Sequence, residues 1–140
     1  MTAAIREYCI STGQAAPETP ADYIRCIFRS LALRYRQVVE ILRSMCGFPI
    51  RKLHVIGGGS QNKYLMQYAA NALNMPVICG PVEGTALGNV LMQMKASGAV
   101  SSLGQMREIS AASVDLVTYY PTDTEDWNEL YEKYLNKTTK

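Results

Sequence analysis

The sequence carries little net charge and no block of like charges. Its 140 residues include 14 lysines and arginines against 12 aspartates and glutamates, a formal net charge of +2. Nucleic-acid-binding domains usually carry a basic patch or stripe, so this balance argues against a nucleic-acid partner. With 48% hydrophobic residues, the chain can instead bury the core of a single globular domain.

Long apolar segments are also absent. The longest uncharged stretch, residues 64–82, contains a glutamine, two asparagines and two prolines, which would be costly in a bilayer. The first residues show neither the apolar core of a secretory signal nor the arginine-rich pattern of a transit peptide. We therefore expect no membrane partner and a cytoplasmic location.

The cysteines are few and scattered, and a single histidine, His54, accompanies them. None of them shows the CxxC spacing typical of zinc sites, so we expect no metal site in the chain. Buried thiols are the simpler interpretation. The four are Cys9, Cys26, Cys46 and Cys79.

Residues 19–46 are predicted to form one long helix. Thr19 is its candidate N-cap, Pro20 fits the first helical position, and Gly47 stands where a left-handed cap would end it. Apolar residues recur at steps of three and four, which predicts one face packed on a core. This stripe consists of Ile24, Ile27, Phe28, Leu31, Tyr35, Val38, Leu42 and Met45.

The middle of the chain is predicted to fold as strand, helix, strand and helix. The first strand, residues 53–56, is apolar and runs directly into three consecutive glycines. Either Ser60 or Asn62 can cap the helix that follows. The second strand, residues 77–79, leads to a helix that starts near Glu83. This order predicts an α/β layer with a parallel crossover.

Residues 102–136 are predicted to add C-terminal helices, separated by an extended piece at residues 114–120. The last helix carries large apolar side chains spaced to pack back on the domain, namely Trp127, Leu130, Tyr131 and Tyr134. Sheets usually have about four to six strands, and two strands bury little. Either the helices supply much of the core, or part of the sheet is missing from the chain.

Gly57, Gly58 and Gly59 end the first strand and precede a helix. Such a turn presents backbone N–H groups without Cβ atoms at the positive end of a helix dipole, where a phosphate or a flat ring can approach closely. The alternative is that the glycines serve the turn alone. Asn62 replaces the third glycine of the dinucleotide fingerprint, and no G-x-x-x-x-G-K loop is present. Neither a nicotinamide site nor that type of phosphate loop is indicated.

A second cluster of small residues lies where the later helix begins. Small side chains there let either a neighbouring helix or a ligand approach closely. We interpret the glutamate of this cluster as a helix cap rather than a catalyst, because its charge favours a helix N-terminus. The cluster comprises Glu83, Gly84, Thr85 and Gly88.

Residues 55–93 resemble the adenosine-binding region of the FGGY carbohydrate kinases, the family of glycerol kinase and xylulokinase. The fold of that family is shared with actin and hexokinase. Finer details are similar to its rhamnulokinase branch and extend over nearly the whole chain. These details are Leu53-His54, Gln61-Asn62, Gly80-Pro81-Val82-Glu83, Leu87-Gly88-Asn89, Tyr8-Cys9, Thr12-Gly13-Gln14 and Arg25-Cys26-Ile27.

The resemblance implies that residues 1–140 are a fragment of the C-terminal, actin- and hexokinase-like (ribonuclease H-like) ATPase domain. Such a fragment is an α/β unit with a short sheet packed by helices. Its parts would be the long helix at 19–46, the adenosine motif at 52–97 and C-terminal helices within 102–136. The implied parent phosphorylates L-rhamnulose to L-rhamnulose 1-phosphate with ATP and Mg²⁺.

In the family, the glycine turn and the following helix start hold the adenosine of ATP or ADP. The resemblance therefore implies nucleotide contacts from Gly58 first, then Gly57, Gly59, Asn62, Ser60 and Gln61. Glu83, Gly84, Thr85 and Gly88 would support the site, with Gly84 in place of an expected alanine. The same branch suggests a cysteine pair, Cys9 and Cys26, although a disulfide is unusual in the cytosol.

The family's catalytic aspartate, its phosphate-binding hairpin and most of its Mg²⁺ ligands have no counterpart here. The aspartates present, Asp22, Asp115, Asp123 and Asp126, are interpreted as cap or surface residues. We therefore expect the chain alone to be inactive. The alternatives are a kinase of another ketose or polyol, or a non-catalytic module for nucleotide binding or assembly. Self-association through an incomplete sheet face is a further expectation.

Overall fold

The computed structural model describes residues 1–138. In that part of the chain six α-helices and three short strands follow one another, and a 3-10 turn at Gly58–Gln61 precedes the third helix. The elements are α1 (Thr2–Ser11), α2 (Pro20–Met45), β1 (Leu53–Val55), α3 (Lys63–Leu73), β2 (Val77–Cys79), α4 (Gly84–Ala96), α5 (Leu103–Ala112), β3 (Val117–Tyr119) and α6 (Thr124–Thr138).

The three strands form one mixed sheet in the order β1-β2-β3. β1 pairs with β2 in parallel, with Leu53 opposite Val77, and β3 pairs with β2 in the antiparallel direction. Helix α3 makes the crossover from β1 to β2. Alternate strand residues face the core on the α3 side, because successive strand side chains point to opposite faces. These residues are Leu53, Val55, Val77, Cys79 and Tyr119. The predicted α/β class, with a short sheet packed by helices, is confirmed.

Helix α2 begins with a capping box. The backbone N–H of Asp22 is bonded to the Thr19 hydroxyl, while the Thr19 backbone N–H donates to the Asp22 carboxylate at 3.1 Å. Pro20 occupies the first turn as predicted. The prediction for the other end is wrong: Cys46 is extended, and Gly47 is not among the residues with positive φ. The helix stops where the chain turns toward β1, without a left-handed cap.

The apolar stripe predicted for α2 is only partly buried. Phe28 and Tyr35 pack against the core, but the deeply buried residues of the helix are Ala32, Leu33 and Val39. The helix lies along α3, whose buried residues include Ala69, Ala70 and Ala72. The rest of the predicted stripe is exposed or only half-buried. Its exposed members are Ile24, Leu31, Val38, Leu42 and Met45.

The C-terminal helix α6 packs across α2 and α3, as its aromatic spacing predicted. Trp127 and Tyr131 are buried with Ala32, Leu33 and Ala72. A separate small cluster of Leu91, Val100 and Met106 joins α4 to α5. No helix among the described residues is long and apolar enough to cross a membrane.

Candidate functional site

The glycine turn is a short 3-10 segment that begins directly after β1. Gly57 has φ 84° and ψ −177°, a backbone conformation that residues with a Cβ rarely adopt. Ser60 closes the turn, since its backbone N–H and its hydroxyl both donate to the Gly57 carbonyl oxygen, at 3.0 and 2.7 Å. Ser60 is buried, and the hydrogen bond from its hydroxyl to Gly57 stabilises the turn.

Asn62 ends the turn and starts α3. Its side-chain oxygen accepts a hydrogen bond from the backbone N–H of Leu65 at 3.1 Å, which makes it the N-cap. Of the two candidate caps predicted from the sequence, Asn62 is thus the one used. Because the oxygen is committed to the cap, a ligand would meet mainly the amide NH₂ group of this side chain.

The second predicted cluster lies beside the glycine turn. The Gly57 N–H donates to the Pro81 carbonyl at 3.1 Å, and the Gly80 N–H donates to the Val55 carbonyl at 2.8 Å. These bonds extend the parallel β1-β2 pairing and carry the start of α4 to the same edge of the sheet. Glu83 occupies the N-cap position of α4, but its side chain makes no capping hydrogen bond.

Open space surrounds the backbone of the turn. A Cβ placed on Gly57, Gly58 or Gly59 would meet no other atom within 4 Å, and the same holds for Gly88 in α4. Gly58, Gly59 and the side chain of Gln61 are exposed. The turn therefore offers bare, accessible backbone to a flat ring or a ribose.

Gly84 has a close neighbour. The sequence left open whether a helix or a ligand approaches the small residues of this cluster. A Cβ on Gly84 would lie 3.2 Å from Cδ1 of Ile56, and one on Gly80 would lie 3.1 Å from Cγ2 of the same residue. The group that approaches Gly84 closely is thus the Ile56 side chain. Sequence reasoning placed Ile56 in the strand and did not single it out, although it directly precedes the glycines.

The cysteine pair lies apart from this site, between α1 and α2. The structure has both thiols free, with Cys9 buried and Cys26 half-buried. Burial raises the pKa of the Cys26 thiol, and the neighbouring Cys9 thiol adds to that rise. Helix α1 was not predicted from the sequence, so the packing of α1 on α2 that makes the two thiols neighbours is known only from the structure.

The aspartates occupy caps and surface positions. Asp22 caps α2, Asp115 precedes β3, and Asp123 and Asp126 lie at the start of α6. Among residues 1–138, no group of three or more His, Cys, Asp or Glu side chains is placed to hold a metal ion. A cavity of about 370 Å³ between α3 and α6 is lined partly by Asp123 and Asp126 and contains no residue of the glycine turn.

The model of the FGGY family of carbohydrate kinases, C-terminal domain, matches residues 1–97. This match spans α1 to α4 and includes the glycine turn. The chain belongs to the FGGY family of carbohydrate kinases. Structural similarity agrees with this: a xylulose kinase from Rhodospirillum rubrum superimposes with a TM-score of 0.71 at 21% identity, over 91% of this chain and 26% of that one. The fold is thus the actin- and hexokinase-like fold of FGGY kinases.

Relatives within the FGGY family are considerably closer in sequence. A rhamnulokinase from Bacteroides thetaiotaomicron is 49% identical over 136 residues, which is 97% of this chain and 28% of the relative. A rhamnulokinase from Pectobacterium atrosepticum is 46% identical over 127 residues, 91% of this chain and 26% of the relative. The chain therefore spans little more than a quarter of the length of these relatives.

Proposed function

We propose that this chain is the ATP-binding portion of a kinase that phosphorylates L-rhamnulose to L-rhamnulose 1-phosphate. The observation that carries the proposal is the pairing of the glycine turn with the α4 start, in a chain 49% identical to a rhamnulokinase. Such relatives support L-rhamnulose over another ketose. ATP use supports a cytoplasmic location, which recovery of the parent protein in a periplasmic fraction would contradict.

The proposed nucleotide site consists of the turn and the helix start beside it. Gly57, Gly58 and Gly59 would lie against the adenosine, and the amide of Asn62 would donate a hydrogen bond to it. Ser60 would act by keeping the turn in shape, and the exposed Gln61 would border the site. The α4 start, with Glu83, Gly84, Thr85 and Gly88, would form the opposite wall.

Phosphoryl transfer needs a carboxylate base and a segment that binds the phosphates. The aspartates of this chain, which lie in caps and at the surface, do not fill these roles. ATP would provide the phosphoryl group and Mg²⁺ would neutralise its charge, while a carboxylate base and a phosphate-binding segment come from elsewhere in the parent protein. We therefore propose that the isolated chain binds adenine nucleotide but does not phosphorylate sugar. Phosphoryl transfer by the isolated chain would contradict this.

A chimera tests the activity directly. This chain would replace the matching segment of the Bacteroides thetaiotaomicron rhamnulokinase, and ADP release would be followed with L-rhamnulose. We expect activity with L-rhamnulose that requires Mg²⁺. A folded chimera without activity would contradict the proposal that this chain completes the ATP site of a rhamnulokinase. The sugar is tested on the parent protein of this chain, where activity on xylulose alone would replace L-rhamnulose as the substrate.

A substitution in the turn tests the site. In the active chimera, Gly58→Val would place a branched side chain in the open space beside the turn, and we expect the KM for ATP to rise about tenfold or more with little change in the KM for the sugar. Gly104→Ala in α5 is the matched control, because that glycine also has room for a Cβ and lies outside the site. Equal KM values for ATP in both variants would contradict the assignment.

The open sheet edge supports a second proposal, that isolated chains self-associate. β1 lies at one edge of the sheet, so its outer backbone groups can pair with a strand of another copy. An assembly module of this kind could also bind nucleotide without any catalysis. If the chimera were inactive while the isolated chain dimerised, this role would be favoured over that of a kinase.

A further inference from the structure

The cavity between α3 and α6 has polar groups that the proposed nucleotide site does not use. Its volume of about 370 Å³ lies within the usual range of small-molecule sites, about 300 to 1,000 Å³. The aromatic pair of Tyr68 and Trp127, with ring centroids 5.2 Å apart, forms part of its wall. No residue of the glycine turn borders it.

Asn71 of α3 belongs to this wall, although only 4% of the residue is exposed. Its side-chain oxygen accepts hydrogen bonds from Gln67 Nε2 at 2.8 Å, from the Thr122 backbone N–H at 3.1 Å and from the Thr122 hydroxyl at 3.4 Å. These three donors fix which end of the amide is the oxygen, since the NH₂ group cannot accept from them. The oxygen thus holds the connection between β3 and α6.

The NH₂ group of Asn71 is the other end of the same amide. The side-chain hydrogen bonds of Asn71 within residues 1–138 all involve its oxygen. In the same range, every fully enclosed side-chain nitrogen or oxygen has a partner. The NH₂ group is therefore not fully enclosed, and the cavity is the space that Asn71 borders. It is a donor held in position before any ligand arrives.

Charged side chains of both signs surround this donor. Arg29 and Lys133 are cationic, whereas Asp123, Asp126 and Glu129 are anionic. Lys133 pairs with Glu129 at 3.8 Å, but the ion pairs of the described residues do not include Arg29 or the two aspartates. An anion is repelled by the carboxylates, and a cation by Arg29 and Lys133. A neutral ligand with hydroxyl groups suits both sets, because each hydroxyl can donate and accept.

We propose that this cavity is a second binding site, for a neutral monosaccharide or polyol. Ligand hydroxyl oxygens accept hydrogen bonds from the Asn71 NH₂ group and from Arg29. Ligand hydroxyl groups donate to Asp123 and Asp126, and the C–H groups of the ligand lie against Trp127. The site is separate from the glycine turn, so the inference does not depend on nucleotide binding.

Titration of the chain with D-glucose, L-rhamnulose and glycerol tests the site. Two NMR signals report on the cavity: the side-chain NH₂ of Asn71 and the indole N–H of Trp127, the single tryptophan of the chain. We expect at least one of these compounds to shift both signals saturably, with a Kd of about 1 to 10 mM. No shift at about 100 mM would overturn the inference. Shifts with glycine alone would also overturn it, because they would indicate a site for zwitterions.

An exposed carboxylate provides the first variant. Asp126→Asn removes an acceptor charge from the cavity, and we expect it to weaken binding about threefold to tenfold. Glu125→Gln is the matched control, because it removes a charge from the same first turn of α6 but lies outside the cavity wall. Equal weakening by both variants would overturn the inference, since it would show only a general effect of charge.

Asn71→Asp is the second variant. It retains an oxygen for Gln67 and Thr122 but replaces the NH₂ donor with an acceptor. We expect the Trp127 shift to be lost while urea unfolding remains cooperative. Unchanged binding in the folded variant would overturn the inference. If this variant does not fold, the comparison of Asp126→Asn with Glu125→Gln decides, because both positions are exposed.

Discussion

Individual atoms decide how the candidate site is built. The three glycines predicted a turn, because residues without a Cβ readily adopt positive φ. In the structure Gly57 has φ 84°. The sequence could not decide whether Ser60 or Asn62 would cap α3. In the 3-10 turn the Ser60 hydroxyl donates to the Gly57 carbonyl oxygen, and Asn62 occupies the N-cap position of α3. Nucleotide contacts by these residues stay a prediction.

The capping box of α2 makes a prediction about pH. Hydrogen bonds from Thr19 hold the pKa of the Asp22 carboxyl below its usual value, so the folded chain favours the ionised form. This contribution to stability is fully present above the pKa that Asp22 has in the unfolded chain. It is lost as the pH falls through the lower pKa that Asp22 has in the folded chain. We expect Asp22→Asn to destabilise the chain at neutral pH and to lose that effect in acid, measured by urea unfolding.

Thr19→Ala provides the companion measurement for this box. Loss of an N-cap hydroxyl costs about 1 kcal/mol of unfolding free energy. Arg25→Ala is the control, because Arg25 contacts Asp22 only at 3.9 Å and both side chains are solvated. An Asp22→Asn effect that stays the same at every pH would contradict the role assigned to the carboxylate.

The neighbouring thiols of Cys9 and Cys26 make a redox prediction. Oxidised glutathione can accept their electrons, and each sulfur then loses its hydrogen as the disulfide joins α1 to α2. A disulfide closing a loop of this size stabilises by about 3 kcal/mol in the chain-entropy view. We expect glutathione treatment to remove two reactive thiols and raise the unfolding temperature, and raised pH to speed the reaction because the Cys26 pKa is raised.

Single cysteine variants separate this pair from the others. Cys9→Ser should abolish the gain in unfolding temperature on oxidation, whereas Cys46→Ser should leave it unchanged. The prediction would be wrong if oxidation gave only mixed glutathione adducts in the unmodified chain.

At the scale of elements, periodicity located the helices better than it located their buried faces. The long helix α2 starts at the predicted cap, yet five members of its predicted apolar stripe are exposed. Most residues of its partner α3 are buried, and α2 packs against it through Ala32 and Val39. A hydrophobic pattern records which residues are apolar, whereas the partner helix selects which side is used.

Helix α6 carries the element-scale prediction. Trp127 is 5% exposed, with its ring centroid 5.2 Å from that of Tyr68 on α3. Trp127→Ala removes this buried ring and leaves a cavity, so we expect a loss of about 3 to 5 kcal/mol in urea unfolding. Lys133→Ala is the control, because its pairing with Glu129 is highly exposed. A loss below about 1 kcal/mol would show that α6 contributes little to the fold.

At the scale of the whole molecule, the sheet has only three strands and an open edge. β1 forms that edge, and the helix α2 leaves several large apolar side chains exposed. Since the chain spans only 28% of its Bacteroides relative, these surfaces are candidates for coverage in the parent protein. In the isolated chain they are the basis of the proposed self-association.

Pairing through β1 is tested with a proline. Leu53 and Val55 use backbone groups toward β2, so the intervening His54 directs its N–H outward. His54→Pro removes this donor, and we expect it to shift the isolated chain from dimer toward monomer in sedimentation equilibrium. His54→Thr retains the N–H and is the matched control. Equal dimerisation by both variants would exclude the β1 edge, and a monomeric unmodified chain would exclude self-association.

The sequence by itself determined the α/β class, the helix start at Thr19 and the glycine turn, because each depends on local chemistry: capping side chains, apolar periodicity and the absence of a Cβ. Only the tertiary structure decided which side of α2 is buried, that Asn62 rather than Ser60 caps α3, and that the Ile56 side chain takes the space where a Cβ on Gly80 or Gly84 would lie. It also brought α1 against α2, so that Cys9 and Cys26 are neighbours. These are contacts between residues distant in sequence, which depend on how whole elements pack rather than on neighbours along the chain.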